Sequence, residues 1–429
     1  MDSSFQTFVR SSLVLATLAL AAPASAQQPL AEFLAGSDSA SVELRGQDAQ
    51  RHVAHSQVDV ARARLLPAFN ATGTYQYNEI QIQFPSPFMP GTTLTLQLHD
   101  SLVGALTLQV PLIDVSAWTS FFAAEQSADA ADERVDGSRQ DVHATVVQLW
   151  HGLVAARAVR EAAQHNLEVV QASRDNVAAR VEAQVAPQLE LARAEAEVLR
   201  AQQTIAEADL NIVLAERNLE LITGVHPSAD AQTLTDDLHA EPSLDDFMTR
   251  AHDAPSVRAA AHAVRAAELS IDASWEGLLP TVTGAFRETA TNAAGFSAAS
   301  QYAILFTASW TLDFGHVAAI GLAGDQLAGA RAQEDGAVQL AETRIYEQWH
   351  RVQSLRIRAQ AAQGALAALQ RADQDAHARY EAGAATQLEV ITADRDLLQA
   401  QVAVIAAIAD LRTARATLRI RAGMESEIR

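Results

Sequence analysis

The chain of 429 residues contains no cysteine, which excludes disulfides, thiol chemistry and a lipid anchor attached to cysteine. Its stability must therefore come from packing or assembly. Aromatic residues make up only 5% of the chain, while alanine abounds; that balance favours long helices whose axes approach closely. Positive charge is also short. Lys and Arg total 31 against 52 Asp and Glu, a formal net charge of −21. Such a surface repels polyanions and anionic lipid headgroups, so nucleic acid is set aside as a partner. Beyond the N-terminus no run of 18 apolar residues occurs, so no transmembrane helix is expected, and any passage through a membrane must use a β-barrel. No nucleophile elbow, phosphate-binding Gly loop or HExxH motif is present. The 13 histidines are scattered. No catalytic constellation, metal site or cofactor site is expected, and the chain reads as a non-enzyme.

What is present is a repeat. Residues 179–202 (ARVEAQVAPQLELARAEAEVLRAQ) and 378–401 (ARYEAGAATQLEVITADRDLLQAQ) align without a gap, with about half of the positions identical. Each copy is preceded by Leu-Leu-Pro, at Leu65-Leu66-Pro67 and Leu278-Leu279-Pro280, opening a polar–apolar alternation. The first 26 residues read as a secretory signal peptide: Arg10 in the polar start, an apolar stretch from Leu13 to Ala22, and a small-residue cleavage site at Ala24-Ser25-Ala26. The expected organisation is a first repeat over 27–224, an acidic linker with one short helix over 225–250, and a second repeat over 251–429.

Period-two alternation predicts strands over about 68–82, 94–112, 281–290 and 301–312. In the last, Tyr302, Ile304, Phe306, Ala308, Trp310, Leu312 and Phe314 share one face. Each strand has roughly the length that a tilted membrane-crossing strand needs. Tyr75, Tyr77, Tyr302, Phe306, Trp310 and Phe314 are candidates for the aromatic girdles of a membrane interface. Four strands cannot close a barrel, and an open edge in hydrocarbon leaves backbone groups unsatisfied, so several chains must share one barrel.

Proline is absent from 116–182 and 315–382, which predicts two helices of about 100 Å each. Return helices are expected over 188–222 and 387–421, after turns at Pro187 and Gly383. Helices this long belong in a coiled coil or helical barrel. The fold class is thus mainly α with a small β part, built from a duplicated helix–β-hairpin–long helix–return helix unit. The tight turns carrying the duplicated motif are the places where a rigid scaffold presents function.

The chain resembles the TolC-like outer-membrane efflux protein family over essentially all of its mature length. The resemblance is carried by Tyr380-Glu381-Ala382-Gly383, Leu388-Glu389-Val390-Ile391-Thr392-Ala393, the segment from Arg217 to Pro227, the two Leu-Leu-Pro entries and the tract Ala254 to Ala260. It implies a homotrimer whose 12-stranded barrel crosses the outer membrane of a Gram-negative bacterium and continues as a periplasmic α-helical barrel. It also implies a passive duct, joined by a periplasmic adaptor (membrane fusion) protein to an inner-membrane transporter of the resistance-nodulation or ABC type. By the same resemblance Gly383, Ala384, Ala385 and Thr386, with Gln184, Val185 and Ala186 in the first copy, form the adaptor-contacting tip. Glu389, Glu190 and Tyr380 fall at aperture and gating positions. Thr392 stands where a second aperture acid is common, Ala385 where some members carry arginine, and Gln184 replaces the turn glycine. Two alternatives stay open: the duct of a type I protein-secretion system, and a soluble periplasmic coiled-coil scaffold.

Overall fold

The computed structural model describes residues 29–85, 91, 93–228, 234–292 and 298–425. The expected signal peptide lies outside them. Eight α-helices and six strands are described: α1 Leu30–Ala40, α2 Val42–Ala63, β1 Ala68–Tyr77, β2 Ile82–Pro85, β3 Thr93–Gln97, β4 Asp100–Ile113, α3 Val115–Glu182, α4 Gln188–Thr223, α5 Leu244–Met248, α6 Pro255–Glu276, β5 Thr281–Thr291, β6 Ser300–Ser309, α7 Phe314–Glu381 and α8 Gln387–Arg421.

The long helices start on aspartate caps. The Asp114 side chain accepts from the Ala117 N–H, and Asp313 accepts from the His316 N–H. Both run for 68 residues. Both end in the same turn. The N–H of Val185 donates to the Arg180 carbonyl and that of Gln184 to Val181; at the other tip Ala384 donates to Arg379 and Gly383 to Tyr380. This paired 6→1 and 5→2 pattern is a Schellman motif, which needs a left-handed residue. Gly383 supplies it at φ 74°, and Gln184 adopts φ 59° in its place.

The helices pack as a wall four elements wide over its whole length. Nearest the strands the neighbours run α2–α3–α6–α7, and towards the tips they run α4–α3–α8–α7. Alanines close these interfaces: Ala341, Ala359, Ala407 and Ala414 are buried with Ile345, Val352, Leu411 and Leu418 between α7 and α8. Among the described residues α8 is the one helix long and apolar enough to cross a membrane. A third of that apolar stretch is buried, and Ala407, Leu411, Ala414, Ala416, Leu418 and Ile420 of α8 are core, packed with residues of α7 and α3. The segment between the repeats is strapped to the same pair. The Arg415 guanidinium reaches Asp236 at 2.8 Å and Glu241 at 3.1 Å, all three nearly fully buried, and Trp349 donates to the Pro242 carbonyl.

The principal sheet is antiparallel, in the order β1–β4–β5–β6. Its register aligns Phe69 with Leu108, Leu108 with Phe286, and Phe286 with Ile304. Phe69, Tyr75, Leu102, Leu106, Phe286, Tyr302, Ile304 and Phe306 therefore share one face, and all are exposed in the single chain. The other face carries Asn70, Thr72, Thr74, Gln76, Thr107, Thr283, Arg287 and Thr307.

Three expectations are corrected. The stretch expected as one strand over 94–112 is two, β3 and β4, and β3 pairs with β2 in a separate sheet. Asn78 breaks the run: its N–H donates to the His99 carbonyl at 2.7 Å and its side chain to the Leu98 carbonyl at 2.8 Å, ending β1 at Tyr77. The last strand ends at Ser309 rather than 312, because Thr281 is the first β5 residue that can pair with it. Beyond it the Trp310 indole donates to the Leu278 carbonyl, and Phe314 is the first residue of α7 rather than part of the strand face. Helix α1 was not expected at all. It is held by Phe33, buried with Leu44, Val146 and Leu219.

Candidate functional site at the hairpin tips

The two hairpins α3–α4 and α7–α8 end side by side, and three side-chain contacts join them. The Arg180 guanidinium lies over the Tyr380 ring at 4.8 Å. Gln387, fully buried at the start of α8, donates to the Ser173 hydroxyl of α3 at 3.2 Å. Arg395 of α8 grips Glu197 of α4 with both arms of its fork, one of them at 2.9 Å. Burial pushes the Glu197 carboxyl up, but the Arg395 and Arg200 guanidiniums outweigh it and hold the group below its ordinary value. Tyr380 is buried and its hydroxyl has no hydrogen-bond partner; burial raises its pKa.

Glu389 and Thr392 share an exposed groove between α7 and α8. Its volume is about 360 Å³, and Leu369, Ala372, Leu388 and Asp396 also line it. Thr386 caps α8: its hydroxyl oxygen accepts from the Glu389 N–H, and its O–H points at the Glu389 carboxylate at 3.3 Å. This pins the Glu389 side chain over the first turn. The Thr392 hydroxyl donates to the Leu388 carbonyl at 2.8 Å. It is thus committed to its own helix and replaces no acid. Asp396 supplies the second carboxylate of the groove, two turns from Glu389 on the same helix face. Sequence reasoning missed it, although the i, i+7 spacing was there to be read. Tyr380 does not join this groove but faces Arg180. Glu190, the first-copy counterpart of Glu389, is half-buried, after Pro187, which offers no side-chain cap.

At the outermost turns Gln184, Val185, Gly383, Ala384 and Thr386 are exposed, whereas Ala186 and Ala385 are half-buried. Leu189 and Leu388, at matching positions just inside each turn, are also exposed and apolar.

At the opposite end the aromatic candidates lie near the two ends of the principal sheet, apart from Phe306. Tyr75 donates to Asp100, Tyr77 stacks on His99, and Tyr302 stacks on Phe286 near the loop end of the sheet. Phe69, Trp310 and Phe314 stand at the helix end, with Phe306 mid-strand. Tyr302 and Trp310 are about 26 Å apart along the chain direction, which a strand tilted by about 35–45° converts to roughly 20 Å of height.

Residues 39–225 and 251–423 match the family model described as outer membrane efflux protein, one match for each half. The chain belongs to this family. Solved structures of similar fold include CusC, described in connection with transmembrane channel formation, with TM-score 0.78 at 19% identity over 92% of both chains. The outer membrane protein VceC from Vibrio cholerae gives TM-score 0.75 at 18% identity, over 92% of this chain and 96% of that one. By sequence, 115 residues are 27% identical to the proteases secretion protein PrtF of Dickeya chrysanthemi, covering 27% of this chain and 24% of that relative.

Proposed function

We propose that the chain is one third of an outer-membrane exit duct serving a tripartite efflux pump for small molecules. The observation that carries this reading is the pair of unlike open edges on the four-wide wall. One edge consists of β1, α2 and α4, the other of β6 and α7. Leu199, Leu210, Val213, Leu214 and Leu221 are exposed on α4, and Leu322, Leu340, Tyr346 and Ile357 on α7. An unpaired strand edge cannot stand in hydrocarbon, where each unsatisfied backbone group costs several kcal/mol. Two different edges meet by head-to-tail association, which forms a ring once the rotation closes. Three copies supply twelve strands, with the Phe69–Tyr302 face towards lipid and the threonine-rich face towards the lumen. The helical wall continues the ring into the periplasm.

The duct is passive. An inner-membrane transporter, of the resistance-nodulation or ABC type, supplies the energy, and a periplasmic adaptor docks on the tips through Gln184–Ala186 and Gly383–Thr386, with Leu189 and Leu388 as apolar contacts. Glu389 and Asp396 ring the periplasmic aperture and favour cations. A second reading, the duct of a protein-secretion system, is favoured by the similarity to PrtF alone. The soluble scaffold is disfavoured by the predominantly apolar exposed sheet face, although Glu288 also stands on it opposite Leu106 and Tyr302.

The decisive measurement is the mobility of the protein extracted from outer membranes in mild detergent, before and after boiling. A species of about three times the chain's mass that collapses on boiling is expected; a monomer released without detergent would discard the duct. In planar bilayers Glu389→Ala should lower cation selectivity at unchanged trimer yield. Unchanged selectivity would place the constriction elsewhere.

A further inference from the structure

Asp373 and His377 lie one turn apart on α7, and Asp394 faces them from α8, about two turns from the tip turn. His377 Nε2 is 2.8 Å from Asp394 Oδ1 and 3.8 Å from Asp373 Oδ1, and one donor atom of each residue falls within 4.8 Å of the others. A tetrahedral ion with bonds of about 2.0–2.2 Å holds its ligand atoms roughly 3.3–3.6 Å apart, which the two measured separations bracket. A second, independent feature is an orphan. Asp373 Oδ1 is buried and has no hydrogen-bond partner. Asp394, 6% exposed, places a second carboxylate beside it, and two carboxylates with a single histidine N–H between them are short of positive charge.

We propose that Asp373, His377 and Asp394 form a site for a divalent first-row transition ion that staples α7 to α8 close to the tip. One imidazole and two carboxylates suit zinc, cobalt or manganese. The absence of thiolate disfavours copper(I), and three protein donors fall short of the oxygen shell that calcium requires. The His377 side chain is 34% exposed, so the fourth position opens to water and the ion has a way in. Binding displaces the imidazole proton from Nε2, and the metal takes that proton's place between the carboxylates. The site lies within a single hairpin, so it does not depend on the channel assembly.

The test uses the full chain in detergent, stripped with chelator and titrated with Co²⁺ alone by equilibrium dialysis and visible absorption. One saturable equivalent per chain with ligand-field bands of an N/O site is expected, competed by Zn²⁺. His377→Ala and Asp394→Asn should each abolish it, while Asp375→Asn, which removes an exposed acid on the same helix, should leave it intact. Far-UV circular dichroism establishes that the variants keep their helices. If Co²⁺ binds without saturation, or equally to His377→Ala, the surface acids alone hold it and the site does not exist. If no Co²⁺ binds, the cluster is balanced by a proton instead and the proposal fails.

Discussion

Every permanently cationic side chain in this protein is arginine; the sequence contains no lysine. The buried contacts depend on that choice, because the guanidinium fork can serve two acceptors at once, as Arg395 does on Glu197 and Arg415 does between Asp236 and Glu241. The histidines use burial in another way. His151 is 3% exposed on α3, its Nδ1 3.2 Å from the Thr413 hydroxyl of α8. Burial, reinforced by the Arg412 charge, lowers its pKa from 6.5 to about 4. The folded state thus binds this proton more weakly than the unfolded chain. Stability from this group is complete above about pH 6.5 and is lost as pH falls towards 4, by about 3 kcal/mol in all at 1.36 kcal/mol per unit. Asp394 runs the other way: burial raises its carboxyl to about 6, so its unfavourable term fades as pH falls below 6. The difference between wild type and His151→Gln isolates the first effect. Denaturant unfolding of wild type should weaken relative to the variant between pH 6.5 and 4; parallel curves would show that His151 is not the acid-sensitive group. Such behaviour was invisible in sequence, where His151 is one histidine among thirteen. Its environment is made by α8, more than 250 positions away.

At the scale of elements, the helices were the most legible part. A proline-free tract ends where Pro187 or Gly383 stands, and caps at Asp114 and Asp313 set the starts to within a residue or two. The strands were less legible, because alternation records which face a residue occupies but not where its partner runs out. Leu96, Leu98 and Leu102 stay in phase across a break made by Asn78, a residue on a different strand's end. The linker was legible as acidic but not as fastened. Its acids are matched by Arg415 and Arg419, which the sequence places far away in α8. Removing one partner of a buried pair costs about 3–5 kcal/mol. Arg415→Ala should therefore destabilise the fold by that order, and limited proteolysis should cut first within 234–250. Wild-type resistance in that segment would mean that Phe247 and Trp349 hold the linker without the ion pairs.

At the scale of the whole molecule, the exposed residues carry the argument. Leu210, Leu214 and Leu221 on α4 are 58%, 52% and 67% exposed, too apolar for a free helix face over such a length. The matching α7 edge is equally bare. If these edges are the seam between copies, replacing Leu214 and Leu221 together with glutamate buries charge in it. The heat-modifiable species should then be lost, while the monomer keeps its helical circular dichroism. A retained oligomer would show that the seam lies elsewhere. The seam acts only between copies, so substitutions there leave the hairpin contacts at Arg180, Gln387 and Arg395 within each chain unaffected.

The sequence by itself determined the duplication, the two long helices with their turns, the two-faced strands and the family, since these rest on periodicity, punctuation and repeated motifs that each segment carries locally. Only the tertiary structure decided the order of the wall and the identity of its open edges. It also separated Glu389 from Tyr380 and assembled Asp373, His377 and Asp394. Those outcomes depend on how α7 and α8 rotate about their axes when alanines bring them close, and a rotation set by packing between helices leaves no mark in the order of residues along either one.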